Sequence, residues 1–79
     1  MNAFQEIDIH AMTQVQAMAA IDAALRRAKG AYRIRVIHGF HGGTALRDGI
    51  RGRYGANGKV KRIELGLNPG QTDLILREF

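Results

Sequence analysis

Cysteine is absent from the 79-residue chain, and this absence excludes disulfide bonds and metal sites built on thiolates. A chain without cysteine suits a reducing cytosol, so we expect a cytoplasmic protein. No apolar stretch approaches the roughly 18 residues that a transmembrane helix needs. Residues 1–6 also lack the basic-then-apolar pattern of a signal peptide. We therefore expect a soluble, unexported protein with no membrane partner.

Two common nucleotide-binding motifs are missing as well. The sequence contains neither G-x-x-x-x-G-K-[ST] nor G-x-G-x-x-G, so nucleotide-binding folds gain no support from motifs. It also contains no repeat, linker or low-complexity segment, and its length suits one small domain with a modest core. We expect a loosely ordered lead-in over residues 1–5 and a single domain over residues 6–79.

Acidic residues are scarce relative to basic ones. Seven Asp and Glu residues stand against twelve Lys and Arg residues, which gives a formal net charge of +5, and the pI is near 10.5. Nine of the basic residues are arginine. Because arginine makes flat bidentate contacts with phosphate, this excess favours a nucleic-acid partner. The absence of a basic amphipathic helix makes a membrane surface a less suitable partner.

The most informative stretch runs from Arg33 to Arg51. Residues 33–36 alternate between polar and apolar, as a half-buried strand does, and three glycines then fall within residues 38–43. Thr44 can cap a helix over residues 45–54. Glycines just before a helix leave backbone N–H groups free for an anion, which the helix dipole also attracts. The stretch therefore predicts an anion site at a strand-to-helix turn.

Candidate side chains surround this turn. Arg47 and Arg51 are four residues apart, so they share one helix face beside the opening. The imidazoles of His38 and His41 are within reach of the same place. The pattern indicates a phosphate site with proton-transfer groups around it. The alternative is a tight connection with a solvated basic face, because short glycine-rich turns are common connectors.

A second candidate pair lies near the N-terminus. Residues 6–10 alternate cleanly, so Asp8 and His10 lie on one strand face with backbones about 6.5–7 Å apart. At this spacing the two side chains can serve one site together. The alternative interpretation is the polar outer face of an edge strand.

The periodicities predict the order β-α-β-α-β-β, a two-layer α/β sandwich with both helices on one face of the sheet. We expect strands over residues 6–10, 32–38, 59–65 and 72–79, and helices over residues 14–29 and 45–54. Thr13 and Gln16 form a capping box at the first helix, and Gly30 stops it. Because active groups lie at the carboxyl ends of parallel strands, His10 and His38 should share one edge with the glycine turn.

Two segments carry a resemblance to a known family. Residues 7–13, I-D-I-H-A-M-T, resemble the L-D-L-H-G-L-T signature that opens the Smr (small MutS-related) domain. Residues 38–47 resemble its second signature, a loop of the type H-G-x-G-x-G-x-L-R before a helix. The similarity extends over residues 6–79, as in a stand-alone member. The chain departs from the signatures with Ala11 in place of glycine and with a loop one residue longer that contains Phe40 and His41.

The resemblance implies a fold like the C-terminal domain of bacterial translation initiation factor three. In that fold the sheet is mixed and four-stranded, and the last strand lies between the second and third. The resemblance also implies nicking of DNA or cleavage of RNA, including messenger RNA on stalled ribosomes, although some members bind without cutting. The matching positions are the acid and histidine of the first signature and the loop glycines and helix pair of the second: Asp8, His10, Gly39, Gly43, Leu46 and Arg47.

The leading hypothesis is an endonuclease that cleaves RNA or nicks DNA. His10, oriented by Asp8, acts as general acid or base, and His38 or His41 supplies a second proton transfer. The phosphate is held by loop and helix groups: Gly39, Gly42, Gly43, Thr44, Arg47 and Arg51. No cofactor is expected, the alternative being a divalent ion held by Asp8 and His10. A non-catalytic nucleic-acid or ribosome-binding module is the second hypothesis, and a protein-interaction domain is the third.

Overall fold

The computed structural model describes residues 4–28, 30–39, 45–65 and 69–77. The elements are β1 (Phe4–Asp8), α1 (Gln14–Arg27), β2 (Arg33–Ile37), α2 (Ala45–Gly55), β3 (Arg62–Glu64) and β4 (Gln71–Ile75). The sheet order is β1-β2-β4-β3, with β1 parallel to β2 and β4 antiparallel to both of its neighbours. This confirms the predicted α/β fold with a mixed four-stranded sheet and the last strand between the second and third.

Local signals at both ends of α1 act as the sequence predicts. The Thr13 hydroxyl accepts a hydrogen bond from the Gln16 backbone N–H at 3.2 Å, and the Gln16 side chain accepts one from the Thr13 N–H at 3.0 Å. Gly30 has φ +87, in the left-handed region that glycine tolerates. The helix ends two residues before the predicted Lys29, because the Ala28 N–H bonds back to the Leu25 carbonyl in a tighter turn.

The core lies between the two helices and one face of the sheet. Alternate residues of the two central strands point into it, and each helix contributes one apolar face; its fully buried members include Ile21, Ile34, Val36, Ile50, Tyr54 and Leu74. Burial of this apolar surface is the main stabilising contribution to the fold. Among the described residues, no helix is long and apolar enough to cross a membrane.

The two helices run side by side in the same direction. A Cβ on Gly49 would lie 3.3 Å from Nε2 of Gln14 and 3.4 Å from Cε of Met18, so glycine permits the close approach. Further along, the Tyr54 hydroxyl donates to Oδ1 of Asp22 at 2.6 Å. Polar contacts thus join the second halves of the helices as well as their beginnings.

Arginine side chains cover the face of the sheet that carries no helix. The Asp73 carboxylate is only 5% exposed and accepts hydrogen bonds from Nη1 of Arg33 at 2.7 Å and Nε of Arg35 at 3.0 Å. Arg33 also pairs with Glu64 at 3.1 Å, and the Arg35 guanidinium stacks 4.8 Å from the Phe4 ring centroid. These arginines are therefore paired within the chain.

The first strand begins and ends two residues earlier than the sequence predicts. It covers Phe4–Asp8 rather than residues 6–10, and so includes part of the predicted lead-in over residues 1–5. The strand stops where Oδ1 of Asp8 accepts a hydrogen bond from the backbone N–H of His10 at 3.0 Å, which turns the chain.

The last two strands are also shorter than predicted. They cover Arg62–Glu64 and Gln71–Ile75, against predictions of residues 59–65 and 72–79, of which residues 78–79 lie outside the described part of the chain. Before β3, the Asn57 side chain accepts a hydrogen bond from the Lys59 N–H at 2.8 Å. The Asn57 carbonyl accepts another from the Val60 N–H at 3.0 Å. This turn occupies the backbone that the apolar pattern assigned to a strand.

Tyr54→Phe is expected to lower the free energy of unfolding by about 1–3 kcal/mol, because it removes a hydrogen bond to a charged group in a buried setting. Burial, together with the Asp22 contact, raises the pKa of Tyr54 to about 12, so the phenol is a donor at neutral pH. Urea unfolding at pH 7 measures the change. Asp22→Asn and the double variant complete the cycle, and strictly additive effects would contradict the assignment.

Candidate functional site

The carboxyl ends of β1 and β2 lie at one edge of the sheet, because these strands are parallel. His10 follows β1 by two residues and His38 follows β2 directly. The two chain segments stay together past the strands, since the Ile9 N–H donates to the Ile37 carbonyl at 2.9 Å. Gly39 has φ +72, and a Cβ built on it would lie 3.5 Å from Cβ of His10. The structure therefore brings His10 against the start of the glycine turn.

Asp8 and His10 form a hydrogen-bonded dyad on the surface. Oδ1 of Asp8 lies 2.5 Å from Nδ1 of His10, and the two side chains are 54% and 62% exposed. The hydrogen bond from the His10 ring, together with that from the His10 backbone, holds the pKa of Asp8 below its usual value. Because an ionised carboxylate only accepts hydrogen bonds, Nδ1 must carry a proton. Nε2 is therefore the nitrogen that remains for a ligand.

His38 has a different environment from His10. It is 4% exposed, with Nδ1 lying 2.8 Å from the Gly39 carbonyl and Nε2 lying 2.9 Å from Oγ1 of Thr72. Burial lowers the pKa of His38, and the nearby Arg51 and Arg47 lower it further. The neutral ring donates from Nδ1 and accepts at Nε2 from the Thr72 hydroxyl. Both ring nitrogens of His38 are thus engaged inside the protein.

Arg51 extends this chain of hydrogen bonds to the surface. Its Nε donates to Oγ1 of Thr72 at 3.2 Å, and its terminal nitrogens have no hydrogen-bond acceptor within the described residues. Arg47, one turn earlier, bonds through Nε to the exposed Asp48 at 3.2 Å. The positive charges of both arginines lower the pKa of His38, so both side chains lie on the side of α2 that faces this ring. The site edge is consequently electropositive.

The first turns of both helices also border this edge. Nε2 of Gln14, the first residue of α1, donates to the Ala45 carbonyl at the start of α2 at 2.9 Å. Each helix follows the carboxyl end of a parallel strand, so the positive ends of both helix dipoles lie on the same side of the molecule. Their partial charges add to those of the arginines and favour an anion here.

Several predicted site residues lie outside the part of the chain that the structure describes. They are the glycine-loop residues His41, Gly42, Gly43 and Thr44, next to Phe40, which also lies outside the described part. Their roles stay predictions. Within the described residues, no group of three or more His, Cys, Asp or Glu side chains could hold a metal ion. Asp8 and His10 alone offer two ligands.

Sequence reasoning missed two residues that organise the site. Thr72 is fully buried and joins Arg51 to His38, and Gln14 ties the two helix starts together. Thr72 carries a detectable signal, because it is a polar residue on the side of β4 where Leu74 enters the core. Gln14 carries no such signal, since a polar residue after a helix cap is ordinary.

The lowered pKa of His38 predicts a pH-dependent stability. The native state resists protonation of this ring while the unfolded state binds a proton near pH 6.5. The contribution of the neutral His38 ring to the free energy of unfolding is therefore fully present above pH 6.5. It is lost as the pH falls towards the native pKa, by at most about 1.4 kcal/mol per pH unit. Thermal unfolding between pH 7.5 and pH 5 should show this slope, reduced in His38→Asn. Equal slopes in the two proteins would contradict this assignment.

Comparisons with known proteins identify the family. A family model described as "Smr domain" matches residues 7–69. The crystal structure of the Smr domain of Thermus thermophilus MutS2 has a TM-score of 0.85 and 29% identity, covering 94% of this chain and 99% of that one. No curated protein matches the chain. The Smr family is known generally as nucleic-acid-binding and nuclease-like. Because this family model matches most of its length, the chain belongs to the Smr domain family.

Proposed function

We propose that this domain binds nucleic acid and cleaves its phosphodiester backbone as an endonuclease. The observation that carries the proposal is the Asp8–His10 dyad, in which the carboxylate orients the ring and leaves Nε2 open. A histidine held by a carboxylate beside an anion site is suited to proton transfer in phosphodiester cleavage.

The scissile phosphate binds at the edge where Arg47 and Arg51 lie. Arg51 is held by Thr72 through Nε, so its terminal nitrogens can take two oxygens of one phosphate. The helix dipoles add favourable charge without a cost of reorganisation. In this proposal the amides of Gly42, Gly43 and Thr44 complete the cradle.

His10 transfers a proton through Nε2, and the Asp8 carboxylate stabilises the imidazolium that forms. On RNA, the 2′-hydroxyl attacks phosphorus and leaves a 2′,3′-cyclic phosphate and a 5′-hydroxyl. On DNA, an activated water must take the place of the 2′-hydroxyl. His41 is the better candidate for the second proton transfer, because both nitrogens of His38 are engaged and its ring is buried. His38 instead positions the turn through Gly39.

His10→Ala and Asp8→Asn are each expected to lower the cleavage rate by about 10²–10⁴ while leaving nucleic-acid affinity nearly unchanged, because general acid–base groups act mainly in the transition state. The assay follows end-labelled RNA and DNA with and without chelator. Arg27→Gln, which changes an exposed cation at the far end of α1, is the control. Equal cutting by His10→Ala would remove the dyad from the mechanism.

The products and the binding data separate the alternatives. A 2′,3′-cyclic phosphate end identifies RNA as substrate and the 2′-hydroxyl as nucleophile. Salt-dependent binding without product after long incubation would instead favour the non-catalytic binding module, which needs the arginines but not the dyad. Activity lost to the chelator would assign a divalent ion to the site.

Arg47→Gln and Arg51→Gln are each expected to weaken binding and to reduce the slope of log affinity against log salt concentration by about 1, because each removes a phosphate contact. Fluorescence anisotropy over a range of salt concentrations measures both quantities. Arg62→Gln is the matched control, since Arg62 pairs with Glu64 on the other face of the sheet. A control slope that falls as far as those of the two variants would contradict this site assignment.

A further inference from the structure

A basic cleft lies at the far end of the paired helices, away from the candidate site. Its volume is about 270 Å³, and it is lined by Asp22, Leu25, Arg26, Arg53, Asn57 and Lys59. We call it the distal cleft. It is formed by the second half of α1, the end of α2 and the loop that follows α2. The dyad lies at the opposite end, where both helices begin.

The distal cleft has an excess of positive charge. Its single acid, Asp22, accepts a hydrogen bond from Nη2 of Arg53 at 2.9 Å and another from the Tyr54 hydroxyl. Arg26 and Lys59 are both exposed, and within the described residues neither side chain has a hydrogen-bond partner. Three cations therefore face one carboxylate that is already engaged. An incoming anion would meet two exposed cations that have no hydrogen-bond partner among the described residues, and of these only Arg26 is also attracted by the charge of Asp22.

Helix dipoles account for only part of this arrangement. Arg26 and Arg53 lie in the last turns of their helices, where the negative end of the dipole favours cations without any ligand. Lys59 belongs to no helix. It is carried to the cleft by a turn in which the Asn57 side chain accepts its backbone N–H at 2.8 Å. A separate element thus adds a third cation to the cleft.

The distance between the two sites suits a nucleic-acid strand. From Gln14 to Arg26 the helix advances over twelve residues, or about 18 Å at 1.5 Å per residue. A strand whose bases stay stacked as in a duplex advances about 3.4 Å per nucleotide, so this span corresponds to about five nucleotides of stacked strand. A strand whose phosphate lies at the dyad can therefore reach the far end of the helices within a short oligonucleotide.

We propose that the distal cleft binds a second backbone phosphate of the nucleic-acid strand whose scissile phosphate lies at His10. The inference rests on the proposed function and extends it, because it sets a footprint of about five nucleotides between the two phosphates. Arg26 and Lys59 supply the contacts, and Arg53 stays with Asp22. Affinity then rises once the strand is long enough to span both sites, as for two linked binding events.

The test compares Arg26→Gln and Lys59→Gln with the matched controls Arg27→Gln and Lys61→Gln, which change neighbouring cations that do not line the cleft. Anisotropy is measured with single-stranded RNA and DNA from about three to about twelve nucleotides in length. For the wild type and controls, affinity should rise when the length passes about five nucleotides. Each cleft variant should lose this rise in affinity. On long strands only, its slope of log affinity against log salt concentration should also be smaller by about 1.

The outcomes separate this inference from the proposed function. If cleft variants bind like the controls at every length, or weaken short and long strands equally, the distal cleft is not a phosphate site. If the wild type binds no nucleic acid at low salt, the proposed function and the inference both fail. Because Lys59 lies outside any helix, the result for Lys59→Gln stands even if Arg26→Gln lowers the melting temperature by removing a cation from the negative end of the α1 dipole.

Discussion

The antiparallel pairing of β2 with β4 determines both faces of the molecule. On the core side it sets Ile34 opposite Leu74, and on the other side it sets Arg35 opposite Asp73. A slip of one residue would turn Leu74 towards solvent and Asp73 into the apolar core. Both errors are costly, because one exposes apolar surface and the other buries an unpaired charge. The register is therefore fixed from both sides of the sheet at once.

The same register builds the candidate site. It places Thr72 where its hydroxyl meets His38, and it brings the carbonyl of Gly70, just before β4, to the N–H groups of His38 and Gly39 at 2.9 Å each. Gly39 in turn lies against His10, which follows an edge strand that β4 does not touch. The position of the glycine turn beside the dyad thus depends on a strand far along the chain. The register between β2 and β4 therefore determines both the geometry of the site and the packing of the core.

This dependence explains what the sequence could and could not predict. The capping box of α1 is local, so residue type and spacing were enough to place it. The closeness of Asp8 and His10 also follows from their spacing, although His10 lies in the turn after β1 and not on the predicted strand face. His10 and His38 look alike in sequence, because each follows an alternating strand. The structure separates them through Thr72, which lies 34 positions from His38. No local pattern carries a contact of that range, and so the sequence assigned both rings the same chemistry.

The distribution of charge also combines a part that the sequence predicts with a part that only the fold determines. The net charge of +5 suggests a generally basic surface, yet the uncovered sheet face is nearly balanced, because Asp73 and Glu64 pair with its arginines: with Arg33 and Arg35 across strands, and with Arg62 within β3. Sheet surfaces that bind RNA present free aromatic rings for stacking. Here the Phe4 ring is already stacked by Arg35. Among the described residues, Arg51 on α2 and Lys59 beside the helix ends pair with no acid, and we infer that a nucleic-acid strand approaches from that side, along the helices rather than across the sheet.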